Sequence, residues 1–364
     1  MADIRTAAPI SLDDLLTWEG VRRLAATHVL RDIATGRLMF CEPGSGKAWK
    51  LPNGRGLRQM GTPQMTFDTR GQVLSTRDAW WAPWREKLTR LPGPFVLVSV
   101  FHDAPITDAA VAEMCAEGSS VSAWFGVQVA STDPRVTRMP LGVKGEMLDY
   151  LRAGTRRTDA DRDCLLYLNF SQRTPIRQAI WEQLAWATRE IPKPDTTPRY
   201  VEMLGRSRFV LSPPGRSWDC YRTYEALAMG AIPIVQRAGP ISEAAAGLPV
   251  LWVDDWREIT PARLEFEWDA RRPGSYERMT LPYWAARIRE AQHMARTVKA
   301  RTHCYDNIAA ASATGVERTI NAAAPPAFTT WGNTENISVG VDYSADENVI
   351  VTATNLLAIE RLTP

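Results

Sequence analysis

The sequence predicts an α/β protein of two Rossmann-like domains with an extra β-hairpin at its C-terminal end. Three observations carry that prediction. The chain has 364 residues, 45% of them hydrophobic, enough to bury two separate cores. From Phe95 onward, apolar runs of strand length alternate with helical stretches, the pattern of βαβ units. After a charged interruption, TRRTDADRD at 155–163, the alternation begins again from Cys164.

Taken in order, the N-terminal third is irregular. A helix is expected from Leu12 to Ala26 behind a Ser11 cap, followed by a Gly/Pro-rich stretch from Pro43 to Pro63. The first clear unit has strand 95–101, helix 107–116 behind Thr107, strand 122–130 and strand 137–143. Residues 1–160 are assigned to this domain, and the solvated run DADRD at 159–163 is read as linker. The second domain, 161–300, alternates strand 164–169, helix 175–189, strand 207–212, helix 219–229, strand 231–236, a short helix at 240–246 and strand 249–253. A helical stretch from Tyr283 to about Ala300 leads into a return segment, 301–325. In 326–364, ISVGVDY at 337–343 and VIVTAT at 349–354 alternate around the SADEN turn, which reads as a hairpin. Its apolar face is expected to dock on the body of the protein, to join two chains, or to serve as an acceptor-binding element.

Charge and cysteine usage exclude several classes. With 43 basic and 41 acidic residues the net charge is +2, so no global attraction to polyanions is expected. The five cysteines, Cys41, Cys115, Cys164, Cys220 and Cys304, are odd in number and lack metal-ligand spacing, which fits reduced thiols in a cytoplasmic protein. The histidines are dispersed, and DADRD precedes a strand rather than following one, so no metal is expected. PGSGKAW at 43–49 is not a phosphate loop: Cys41 stands where the first glycine belongs, and Ala48 replaces the hydroxyl after the lysine. No stretch of about 18 apolar residues is present.

The most informative segment is Arg208–Gln236, RFVLSPPGRSWDCYRTYEALAMGAIPIVQ. The strand is stopped by Pro213, Pro214 and Gly215; Ser217 or Asp219 is placed to cap the next helix, and Gly230 ends it. A helix start presents unpaired N–H groups and positive dipole, and Arg216 and Arg222 add fixed charge. That combination suits a diphosphate. Glu225, one turn after Arg222, is placed to accept hydrogen bonds from ribose hydroxyls. An ordinary helix-surface ion pair between Arg222 and Glu225 is the alternative.

These residues resemble the exostosin-like glycosyltransferases, whose donor signature is similar to F-x-L-x-P-P-G-R, an acidic residue, Y-R, E-A-L and G-x-I-P-I-V. Looser matches lie upstream at FVLVSVFHD (95–103), WFGVQV (124–129), MPLGV (139–143) and LLYLNFSQRT (165–174). The resemblance implies a GT-B fold, two Rossmann-like domains facing across a cleft, with the acceptor on the N-terminal side. It also implies sugar transfer from a nucleotide sugar, a UDP-sugar in many members, with no further cofactor. Ser171, Arg173 and Thr174 are then expected near the donor phosphates.

Transfer by direct displacement needs a base, and His102 or Asp103, after strand 95–101, stands where an open α/β sheet places its ligands. The family's H-N-S-D segment is FHDAP here, which leaves the choice between them open. Retaining relatives carry a second glutamate seven intervening residues before the one at Glu225; that position is Ser217, which favours inversion. Trp80, Trp81 and Trp84 either pack a core or stack on an acceptor sugar. With Arg77, Arg85, Lys87 and Arg90 among them, a nucleic-acid acceptor is a further alternative, as is a catalytically silent nucleotide-sugar binder.

Overall fold

The computed structural model describes residues 10–31, 38–41, 49–50, 56–57, 68–76, 82–100, 104–215, 217–270, 274–313, 319–320 and 349–350. The chain divides into two compact units, Met1–Lys299 and Ala300–Pro364. The first holds two largely parallel sheets.

The first sheet uses β1 (Thr27–Arg31), β2 (Leu38–Cys41), β5 (Val73–Thr76), β6 (Phe95–Ser99), β7 (Val121–Gly126) and β8 (Val136–Arg138), in the order β2-β1-β5-β6-β7-β8. Only the edge pair β1–β2 is antiparallel. Between β2 and β5 in sequence, β3 (Trp49–Lys50) and β4 (Gly56–Leu57) form a separate antiparallel pair. Helices cover both faces. Leu88 of α2 (Ala82–Thr89) and Val111 and Met114 of α3 (Asp108–Met114) pack with Leu97 and Trp124 on one side. On the other, Val96, Val98 and Phe125 pack with Val21 of α1 (Trp18–Leu24) and Leu151 of α4 (Leu148–Ala153).

The second sheet is wholly parallel: β9 (Cys164–Asn169), β10 (Thr188–Glu190), β11 (Ser207–Leu211), β12 (Ile232–Gln236) and β13 (Leu251–Val253), in the order β10-β9-β11-β12-β13. The chain steps outward from β9 to β10, then reverses past β9 to β11. That reversal makes the gap between the carboxyl ends of β9 and β11 a topological switch point, where doubly wound sheets bind ligands. Ile180 of α5 (Pro175–Gln183) and Leu264 and Trp268 of α8 (Pro261–Ala270) cover one face; Leu204 of α6 (Thr197–Arg206) and Tyr224 and Leu227 of α7 (Tyr221–Ala228) cover the other. The final helix, α9 (Leu281–Ala313), returns to the first sheet, where Gln292 and Arg296 both donate to the Gly71 carbonyl.

Several expectations are corrected. The helix expected at Leu12–Ala26 is broken: a single turn at Leu12–Asp14 gives way to Leu15, bridged to Thr280, and α1 starts behind a Thr17 cap. The helix expected at 175–189 stops at Gln183, and 188–190 is an edge strand too short and polar to read. DADRD is not simply solvated. Arg162 is 3% exposed and donates to the carbonyls of Leu204, Ser207 and Met229, fastening the ends of α6 and α7 to the sheet. Gly230, at φ 78, lies against that guanidinium. In the second unit, β15 (Val349–Ile350) pairs antiparallel with β14 (Thr319–Ile320), whereas 337–343, the other half of the expected hairpin, lies outside the described residues.

Candidate functional site

The site is built from the two segments that leave the switch point. After β9 the chain runs through Phe170 and Ser171 to Thr174, whose hydroxyl caps α5 by accepting from the Arg177 N–H. After β11 it runs through Ser212–Cys220 into α7. Proline at the first position of α5 and the Pro213-Pro214 pair hold both segments extended before their helices.

Arg177 and Arg222 converge there. Arg222 Nε donates to the Asn169 carbonyl at 2.9 Å, and its guanidinium lies 5.6 Å from the Phe170 ring centroid. Arg177 Nε donates to the Pro214 carbonyl at 2.8 Å, Nη1 reaches the Ser171 carbonyl at 3.2 Å, and its guanidinium also lies 5.6 Å from Phe170. Neither forms an ion pair with a carboxylate among the described residues. Arg222 Nη1 is buried and finds no hydrogen-bond partner among them. Burial first, and the Arg222 cation second, hold the Arg177 guanidinium below its usual pKa. Two adjacent guanidinium groups, one with a buried donor unpartnered among the described residues, are chemically suited to hold an anion. Gly215 fits this packing, because a Cβ there would stand 3.3 Å from Arg177 Nη2.

Glu225 is 6% exposed, and its Oε2 accepts the Tyr200 hydroxyl at 2.7 Å. Burial raises its pKa against the opposing pull of Tyr200, Arg222 and Lys144. Lys144, from the segment after β8, lies 5.3 Å from the Tyr221 ring centroid. Below, Tyr167 receives the Asn169 amide and donates to Glu190, so the polar network under the switch point reaches the sheet edge.

Neither Ser217 nor Asp219 caps α7. The cap position is Cys220, with no side-chain cap bond, and both expected caps face the first sheet instead. Asp219 Oδ2 accepts the Leu141 N–H at 2.8 Å, Oδ1 accepts the Tyr224 hydroxyl at 2.8 Å, and Ser217 donates to Gln128. Burial pushes the Asp219 carboxyl up to about 7, outweighing the hydrogen bonds from the Tyr224 hydroxyl and the Leu141 and Cys220 N–H groups. The residues after β7 and β8 thus touch the loop after β11, so the carboxyl ends of the two sheets meet at this loop.

Of the remaining sequence-derived candidates, Arg173 is exposed beside Thr174. Arg216, His102, Asp103, Trp80 and Trp81 lie outside the described residues, as does the Trp84 side chain. Two of the basic residues near those tryptophans are engaged: Arg85 pairs with Glu113 at 2.7 Å, and Arg90 with Glu86 at 2.7 Å. Arg177 was missed by sequence reasoning. Its one signal is its place in the first turn of a Thr-Pro-started helix, immediately after a buried strand.

Residues 153–298, which carry the whole second sheet and both arginines, match the family model of the RXYLT1 C-terminal domain. The relatives that share sequence with the chain are glycosyltransferases. Ribitol-5-phosphate xylosyltransferase 1 of Danio rerio is 31% identical over 109 residues, covering 26% of this chain and 25% of the relative. The Mus musculus protein of that name is 29% identical over 134 residues, covering 31% and 28%. The chain therefore spans only about a quarter of the length of these curated relatives.

Proposed function

We propose that this protein is a glycosyltransferase that binds the diphosphate of a nucleotide sugar between Arg177, Arg222 and the loop Gly215–Cys220. The carrying observation is the Arg177–Arg222 pair at the switch point with one buried, unpartnered donor. In direct displacement the sugar's anomeric carbon passes to an acceptor hydroxyl while negative charge builds on the leaving diphosphate. Guanidinium groups fixed in advance stabilise that charge without a metal ion. They are oriented by Nε donation to the Asn169 and Pro214 carbonyls and by Arg177 Nη1 donation to the Ser171 carbonyl, which leaves Arg222 Nη1 for the ligand.

The relatives' printed activity, xylosyl transfer involving ribitol 5-phosphate, supports a pentose donor and a phosphate-bearing polyol acceptor for this chain. A GT-B, exostosin-like arrangement with a UDP-sugar donor fits the motif and the meeting of the two sheets' carboxyl ends. His102 or Asp103 would serve as base, and Ser217, standing where retaining enzymes carry a glutamate, favours inversion slightly over retention. The test is a thermal-shift panel of UDP, CDP and GDP, followed by transfer assays with UDP-xylose and a ribitol phosphate acceptor. Stabilisation by one diphosphate and transfer from its sugar are expected; no response to any diphosphate would overturn the reading.

A further inference from the structure

Gln128 is, with Leu141, a residue through which the first-sheet side holds the loop after β11. It follows β7, is 2% exposed, and has a φ of 55°, the left-handed region that disfavours side chains larger than glycine. Its backbone is fixed there, since its carbonyl accepts the Ile106 N–H at 3.0 Å. Its amide makes contacts 89 and 91 residues away. Nε2 donates to the Asp219 carbonyl at 2.9 Å, while Oε1 accepts the Ser217 hydroxyl at 2.5 Å and, at a longer 3.4 Å, the Asp219 N–H. A primary amide carries a donor and an acceptor on one planar tip and meets all three. A disfavoured backbone retained for such a contact marks a functional constraint.

The loop it holds is otherwise anchored from the second sheet: Arg177 takes the Pro214 carbonyl and Gly215 N–H donates to the Ser217 carbonyl. Without Gln128, the contact the Ser217–Asp219 turn keeps with the first-sheet side, among the described residues, is the Leu141 N–H donating to the Asp219 carboxylate. We propose that Gln128 is a positioning residue for the donor site, setting from the opposite sheet the Ser217–Asp219 turn that leads into α7 and Arg222. This rests on the donor-site reading above. It adds a consequence: anything that shifts the first sheet, including acceptor binding there, changes donor affinity through this amide.

The full-length protein is titrated with whichever of UDP, CDP and GDP it binds best, as wild type, Gln128→Gly and Leu97→Ala. Glycine relieves the backbone but removes the amide, whereas Leu97→Ala destabilises the first sheet's core away from the loop. All titrations are run below the lowest melting temperature, and Gln128→Asn, which tolerates the same φ with a shorter amide, replaces the glycine variant should that one not fold. The expected result is an affinity loss of about tenfold or more at position 128, with Leu97→Ala within about twofold of wild type. Unchanged affinity in the position-128 variant, or equal loss in Leu97→Ala, overturns the positioning role while leaving the donor site standing. A wild type that binds none of the diphosphates overturns both.

Discussion

Arg177 and Arg222 stand on the same aromatic ring: each guanidinium is 5.6 Å from the centroid of Phe170, and neither is neutralised by a carboxylate among the described residues. Burial first, and the neighbouring Arg222 cation second, lower the Arg177 pKa. The arrangement becomes favourable when a polyanion is bound between them.

Arg222→Ala should weaken nucleoside diphosphate binding by about 1.5 to 3 kcal/mol, roughly 10- to 150-fold. Its melting temperature should fall less than that of Arg177→Ala, because only the Asn169 carbonyl loses a hydrogen bond. Calorimetric titration beside a melting curve checks both.

Arg177→Ala behaves differently. It removes ligand contacts and also strips the Pro214 and Ser171 carbonyls of their partner, so about 1 to 3 kcal/mol of stability is lost along with the affinity. Arg177→Lys should not rescue it, since a single ammonium cannot reach Pro214, Ser171 and a ligand together. Chemical denaturation in the presence and absence of ligand separates the two losses.

Asp219 predicts a pH dependence. Its folded pKa, about 7, is above the ordinary carboxylate value near 3.8, so its contribution to stability is fully present below pH 4 and is lost as pH rises toward and through 7. The groups facing it are the Tyr224 hydroxyl, the Cys220 thiol and the Leu141 N–H, with no cation among them. Asp219→Asn should therefore flatten the decline in melting temperature between pH 5 and pH 8. A wild-type slope that persists unchanged in the variant would show that another group titrates.

Arg162→Leu should cost about 2 to 4 kcal/mol, because three carbonyls at the ends of α6 and α7 lose their donor. Nucleotide affinity, measured where the variant is folded, should change less than twofold. The residue braces the fold from the far end of those helices and touches nothing at the switch point.

These cases show which features local sequence carries. Strands such as Phe95–Ser99 and Cys164–Asn169 were legible because continuous burial makes them continuously apolar. The strand, turn and helix order of 208–229 is legible because its signals lie within a few residues of Arg222. What escaped depends on partners far along the chain. Asp219 looks like a helix cap because Asp next to a helix start usually is one, yet Leu141 claims its carboxylate from 78 residues away. Tyr200 reaches Glu225 across 25 residues, and Gln128 reaches Ser217 across 89. No period or spacing encodes such pairs. Arg162 was taken for a solvated charge because its neighbours are charged, while its own side chain turns inward.

The most direct measurement compares UDP with uridine in wild type and in the double variant Arg177→Met/Arg222→Met. Diphosphate capture by the two guanidiniums predicts that wild type prefers UDP by about 100-fold or more and that the preference collapses in the double variant. A wild type that does not distinguish the two ligands, or a preference that survives loss of both arginines, would contradict the account.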